Sequence, residues 1–239
     1  MTTAIPKRPV RRGSGFMMTV WRLAVVFLSI TRLCAEQAAP ARYHFPHAAV
    51  NKSRSYIDIP AVFHPGQFNS GSGLKNHHLI VFKDGKAAGN ALFVSPVSDS
   101  AVHDSLVAIG ATPGNNLTRE TWTKWKSKRS SEPDKTVEGS HIDILILRRQ
   151  DTLDITDILH DRSATTPEFR FGGNRKLIPV WKSGCIACLQ SCPGGKIGNA
   201  RYTMRDLADG VPEFTLAPGN PLRDGEKVII RFSVHDTNQ

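Results

Sequence analysis

Two spacings of apolar residues organise the chain after about position 55. Ile57-Asp58-Ile59 and Val62-Phe63 open the patterned region, and His78–Phe82 and Ala91–Val94 follow as short apolar runs of strand length. Between these runs stands Lys83-Asp84-Gly85-Lys86, whose Asp-Gly pair suits a tight turn, so the spacing predicts a β-hairpin. The period then changes. Val102, Leu106 and Ile109 recur at i, i+4 and i+7, with Ser98 or Asp99 placed as N-cap and Gly110 as stop, which predicts an amphipathic helix over Ser98–Ile109. Ile142–Leu147 is a nearly unbroken apolar run and reads as a buried strand. A short helix at Ile155–Leu159, a turn at Gly172-Gly173, a strand over Leu177–Trp181 and a last strand at Lys227–Val234 complete the expected elements. Strands recur and helices are few, so the expected class is α+β on a mainly β scaffold.

The N-terminus has a different character. A basic stretch leads into the apolar run Leu23–Ile30 and then into Ala35, Ala38, Ala39 and Ala41, the three parts of a secretory signal. The run is bounded by Arg22 and Arg32, well short of the roughly 20 apolar residues that span a bilayer. Residues 1–35 are therefore read as a removable signal, with Cys34 inside it, and 36–55 as a lead-in. A domain over 56–160 and a cysteine-bearing part over 161–239 follow. The expected location is periplasmic or otherwise exported, with no membrane span after cleavage. Met17 and Met18 offer a second start for a shorter signal.

Charge adds little to this picture. The 239 residues carry a formal net charge of +10. Six of the 31 basic residues (Lys7, Arg8, Arg11, Arg12, Arg22 and Arg32) lie in the first 35 positions, which hold no Asp or Glu. The remainder sets 25 basic against 21 acidic residues, which does not call for a nucleic-acid partner. Trp122 and Trp125, interleaved with Lys124, Lys126, Lys128 and Arg129, have the composition of a stacking and phosphate patch. In an exported chain such a run reads as a solvated basic loop, and no nucleic acid is expected.

The chemistry concentrates in Cys185-Ile-Ala-Cys188-Leu-Gln-Ser-Cys192-Pro193. Bacterial ferredoxins bind iron–sulfur clusters through C-x2-C-x2-C-x3-C-P, and this segment reproduces the last three cysteines and the proline, with Lys182 in place of the first cysteine. Thiolates are soft ligands that match iron, so Cys185, Cys188 and Cys192 are the candidate ligands of a 4Fe-4S cluster, with His77, His78 or an outside group as the fourth. Zinc on three cysteines and a histidine is a second option. No cofactor at all is the third: in an oxidising compartment Cys185 and Cys188 can close a disulfide and leave Cys192 as an odd thiol. His77 and His78 enter a strand, where alternate residues face opposite sides, so they are not expected to chelate together. His103 sits at the border of the helix's apolar face and is expected to be partly exposed. No catalytic motif appears, and the chain is not expected to be an enzyme.

The stretch from His77-His78 through Ala91-Leu92-Phe93-Val94, Val102-His103 and Leu106-Val107-Ala108-Ile109-Gly110-Ala111-Thr112-Pro113-Gly114 resembles the YdjY domain of exported bacterial proteins. The resemblance runs over about residues 55–150, and Gly89-Asn90 stands where many members have a His-Glu pair. Some members add a Cys-x-x-Cys-x-x-x-Cys-Pro-Gly segment and are described as ferredoxin-like. The family brings no established reaction with it. The cysteine spacing sets the expected function, an exported redox-associated, ferredoxin-like protein that transfers electrons through a cluster on Cys185, Cys188 and Cys192, with a redox partner protein; the alternative is a periplasmic binding or assembly module with a structural or redox disulfide and no metal.

Overall fold

The computed structural model describes residues 47–69, 77–121, 134–149 and 151–235. The signal segment, Cys34 and the Trp122/Trp125 run lie outside the described residues. Among the described residues twelve strands and four short helices follow in the order β1 (Ala49–Asn51), β2 (Tyr56–Phe63), α1 (Pro65–Asn69), β3 (His78–Phe82), β4 (Phe93–Ser95), α2 (Asp99–Ala108), β5 (Ile142–Leu147) and β6 (Thr152–Asp154). Then come β7 (Leu159–Asp161), β8 (Phe169–Phe171), α3 (Ile178–Trp181), β9 (Cys185–Cys188), β10 (Ile197–Asn199), α4 (Met204–Ala208), β11 (Phe214–Leu216) and β12 (Lys227–Val234).

Ten of these strands form one mixed sheet in the order β6-β5-β12-β2-β4-β3-β9-β10-β8, with β1 on the free part of β2. The sheet curls until its far edge meets its beginning. Arg170 in β8 bridges His141, the residue leading into β5, and the Phe171 N–H donates to the Ser140 carbonyl at 2.8 Å. Inside the curl lies the main core, which includes Ile57, Phe63, Leu79, Phe93, Ile144, Phe171, Ile186 and Phe232. The sheet takes strands from both the 56–160 and the 161–239 parts of the chain.

The longest strands sit where the apolar pattern is strongest. β5 and β12 have the expected limits, and seven residues of β12 pair with β2 while six pair with β5. β5 is nevertheless half-buried: Ile142, Ile144 and Ile146 point into the core, while Asp143, Leu145 and Leu147 turn outward. Its unbroken apolar run covers both sides of a curled sheet rather than a strand buried on both faces.

The expected helix runs over Asp99–Ala108, with the Ser98 hydroxyl accepting from the Ala101 N–H and Gly110 leaving at a φ of +96°. Its buried residues are Asp99, Val102, His103 and Leu106. His103 is therefore not partly exposed: it is covered, with its ring 5.2 Å from that of Phe171.

Three further expectations are corrected. The runs flanking Asp84-Gly85 do form strands, but β3 and β4 pair in parallel, Ile80 opposite Phe93, and make no hairpin. The connection is tied elsewhere: the Lys86 and Ala87 N–H groups donate to the carbonyls of Lys182 and Ser183. A Cβ on Gly85 would stand 2.4 Å from the Ser183 oxygen, so this close approach requires glycine. The chain therefore crosses back before entering β4, as parallel pairing demands. Leu177–Trp181 is helical, not extended. Pro179 has no N–H to give a sheet but suits the first turn of a helix, and Lys182 at a φ of 52° ends it. The short helix expected at Ile155–Leu159 is a 3-10 turn over Ile155–Ile158.

Candidate functional site: the cysteine and histidine cluster

β9 carries two of the three cysteines, and a regular strand would aim residues three apart at opposite faces. The pairing with β3 removes that obstacle. His78 opposes Cys188, Ile80 opposes Ala187 and Val81 opposes Cys185, so Leu79 on one strand and Ile186 on the other are extra residues. The two irregularities cancel in register but not in facing. Leu79 and Ile80 on β3, and Ile186 and Ala187 on β9, all turn into the main core. Val81, Cys185 and Cys188 instead form a second, smaller cluster on the other side of the sheet with Ala87, Ala91 and Cys192, against which Ala88, Val94 and Trp181 pack.

In this cluster the sulfurs of Cys185 and Cys188 meet in a disulfide contact, with a Cα separation of 6.8 Å. One ring nitrogen of His78 and the two sulfurs all lie within 4.8 Å of one another. His78 Nδ1 is fully shielded and makes no hydrogen bond. Burial, reinforced by the neighbouring His77, pulls the His78 pKa down to about 3, so its imidazole is neutral near pH 7. The His77 and His78 rings do not diverge as alternation would have it. Their centroids are 3.8 Å apart, because His77 precedes the strand and escapes its alternation.

Cys192 arrives by a turn that its own neighbours build. The Gly195 N–H donates to the Cys192 carbonyl at 3.1 Å, the Gly194 N–H donates to the Cys192 sulfur at 3.3 Å, and the Lys196 N–H closes onto Ile186. A Cβ on Gly194 would come 2.7 Å from the Trp181 ring, and one on Gly195 would come 3.0 Å from the Cys188 sulfur. Pro193-Gly194-Gly195 is thus the sequence that lets the turn lie against two sulfurs. Cys192 is buried and unbridged. Burial raises its thiol pKa, against the pull of the Gly194 and Gly195 N–H groups and of Lys196.

Around the cluster is a polar shell that the sequence did not single out. Lys196 is fully buried and its Nζ has no hydrogen-bond partner. Burial lowers its pKa to about 8, against the opposing charges of Asp99 and Cys192. Both amide atoms of buried Gln190 are unpartnered as well. Asp99, at the start of α2, is buried and its pKa is raised by desolvation, opposed chiefly by Lys196. Lys196 belongs to Gly194-Gly195-Lys196, which lacks the flanking residues of a phosphate loop, and a charged residue in a turn ordinarily signals exposure.

The donor set suits a thiolate metal centre. Two cysteine sulfurs and a neutral imidazole converge, the imidazole has a shielded nitrogen without a hydrogen-bond partner, and a third cysteine stands in the same cluster. Among the described residues no helix is long and apolar enough to cross a membrane.

Comparison with known proteins supplies the lineage. The YdjY domain model matches residues 48–233, which takes in the cysteine segment as well as the earlier strands. The chain is 33% identical over 128 residues to Uncharacterized protein YdjY of Escherichia coli (strain K12), covering 53% of this chain and 52% of that protein. It thus spans about half the length of the curated relative it matches. No solved structure matches. With the family model spanning the curled sheet from β1 nearly to the end of β12, the chain belongs to the YdjY-domain family.

Proposed function

We propose that this chain is an exported, redox-associated protein in which Cys185, Cys188 and Cys192, with His78 as fourth ligand, hold an iron–sulfur centre on the YdjY scaffold. The observation that carries this reading is His78 Nδ1, a shielded nitrogen without a partner on a ring that reaches within 4.8 Å of two cysteine sulfurs. A purely structural disulfide has no use for such a nitrogen, and leaving it unpaired costs on the order of 1–3 kcal/mol. When bound, an iron–sulfur centre supplies one-electron transfer at a potential set by its ligands, its burial and hydrogen bonds to sulfur.

The protein's own contributions are distinct. His78 offers a lone pair because burial keeps it neutral. The Gly194 N–H donates to the Cys192 sulfur and favours its thiolate. Ala87, Ala91 and Val81 shield the sulfurs from water, and the Lys196 ammonium supplies positive charge near a group of thiolates. Export follows from the N-terminal signal pattern, and a redox partner protein would exchange the electrons.

Anaerobic purification followed by iron and acid-labile sulfide analysis tests this. Iron and sulfide should be present, and each of Cys185→Ser, Cys188→Ser, Cys192→Ser and His78→Ala should lower them. Zinc without iron would retain the ligand set and defeat electron transfer.

The disulfide contact between Cys185 and Cys188 favours a second reading, a thiol redox pair with Cys192 as a third thiol and no metal. Protein that lacks metal in anaerobic preparations and shows one free thiol per chain would establish that reading instead.

A further inference from the structure

A second convergence of ligand-type side chains shares no residue with the cysteine cluster and lies where the sheet closes. His141, Asp143 and His235 bring two ring nitrogens and a carboxylate oxygen within 4.8 Å of one another. Ordinary antiparallel pairing creates the group. Val234 opposes Ile142 and Ser233 opposes Asp143, which sets His235 directly across from His141 just beyond the paired strands. The His235 N–H donates to the His141 carbonyl at 3.1 Å and fixes that register. Asp143 is two residues along β5 from His141, so it shares the outward face on which Ile142 and Ile144 are not found. The two imidazoles face each other with centroids 5.0 Å apart, and His235 Nδ1 stands 3.2 Å from Asp143 Oδ2.

The backbone beneath is held from both sides. Arg170 bridges His141 where the sheet closes, and the Val234 N–H donates to the Ser55 carbonyl. The guanidinium of Arg170, whose backbone bridges His141, is paired with Glu168 through an Nε to Oε1 hydrogen bond of 2.7 Å.

We propose that His141, Asp143 and His235 bind a divalent transition-metal ion of the zinc, nickel or copper class at the seam of the sheet. Imidazole nitrogens and one carboxylate are the ligands such ions prefer, with metal–nitrogen bonds of about 2.0–2.1 Å. The register has already placed all three residues, so closing the 4.8 Å spread to that shell falls to their side chains. Three protein ligands leave coordination positions for water, and His235 is exposed while the other two are half-buried. This centre is open to solvent and contains no sulfur, so it is independent of the cysteine site.

Titration of the full chain with Co2+, read by absorption, and with Zn2+, read by calorimetry, tests the proposal. One ion should bind without thiolate-to-metal charge transfer. His141→Ala and His235→Ala should each weaken that event at least about tenfold, Asp143→Asn should weaken it less, and Cys185→Ser should leave it intact. Thermal melts of the variants confirm that each is folded. The proposal is overturned if Co2+ binds only with thiolate charge transfer, if neither ion binds, or if the sulfur-free event persists undiminished in both histidine variants.

Discussion

The two halves of the sheet build their ligand groups by opposite means. Around β12, pairing is regular and every contact follows from register: Arg231 opposes Asp58 just as His235 opposes His141. Around β3 and β9 the register slips twice and recovers, and the slips alone turn Cys185 and Cys188 to the same side. The regular half leaves its polar groups open on the outer face. The irregular half folds its own glycine turn against the sulfurs, with a buried lysine close enough to act on Cys192. Regular pairing brings side chains together at no cost in burial, whereas a bulged, covered site can hold reactive groups away from water but must carry their desolvation.

Perturbations of the two halves should differ in size and even in sign. The largest effect is expected from Phe232→Ala, which empties a fully buried position of β12 and should destabilise by roughly 3–5 kcal/mol in urea unfolding. Val81→Ala in the small cysteine cluster removes two methyl groups and should cost only about 2 kcal/mol. Equal losses would show that the small cluster is as strongly packed as the main core.

Lys196→Met should act in the opposite direction. In the metal-free protein its ammonium is held at a pKa of about 8 against an ordinary value of 10.5, so burying the charge costs roughly 3 kcal/mol below pH 8. The unfolded chain binds the proton more tightly, and stability of the natural protein therefore rises with pH between about 8 and 10.5. Replacement should raise the melting temperature at pH 7, with the advantage disappearing above pH 10.5. A destabilised variant at pH 7 would mean that Lys196 contributes attraction beyond its cost.

On the regular half, Arg231 makes two 2.8 Å hydrogen bonds to Asp58 and lies 3.7 Å over the Tyr56 ring. Arg231→Met should cost about 1 kcal/mol, since the pair is half-buried. The smallest effect belongs to Asp104, whose carboxyl Arg175, and secondarily His103, hold at a pKa of about 2. Both side chains of the Asp104–Arg175 pair are largely in water, and Asp104→Asn should leave the urea midpoint unchanged.

These contrasts also explain what could be read in the sequence. The limits of β5 and β12 were legible because long apolar runs determine them locally. The α2 cap was legible for the same reason, since Ser98 and Gly110 act within one turn of the helix. The hairpin expectation failed because Asp84-Gly85 states only that the chain turns, while the partner of β4 is decided by ties to Lys182 and Ser183 nearly a hundred residues later. The three cysteines stood out by spacing, and His78 entered as one option for a fourth ligand. Its selection rests on two compensating bulges that no periodicity encodes. His141 and His235 are ordinary polar residues until the register of β12 against β5 is known. Lys196 was hidden because a charged residue beside a glycine pair reads as an exposed turn, and its approach to Asp99 of α2 is set only by the fold.

The position of β12 has a consequence for how the protein comes into being. The last described strand, β12, is inserted between β2 and β5, so Phe232 finds its partner in Ile57, near the other end of the described chain. While a ribosome still holds the last stretch, β2 and β5 each present an unpaired apolar edge, and the curl is incomplete. Closure of the sheet must wait until β12 has been made, and pairings of such long sequence separation are slow. A nascent chain stalled before Lys227 is therefore a sticky species for chaperones to hold, and loss of the final strand should yield aggregate rather than a smaller folded domain.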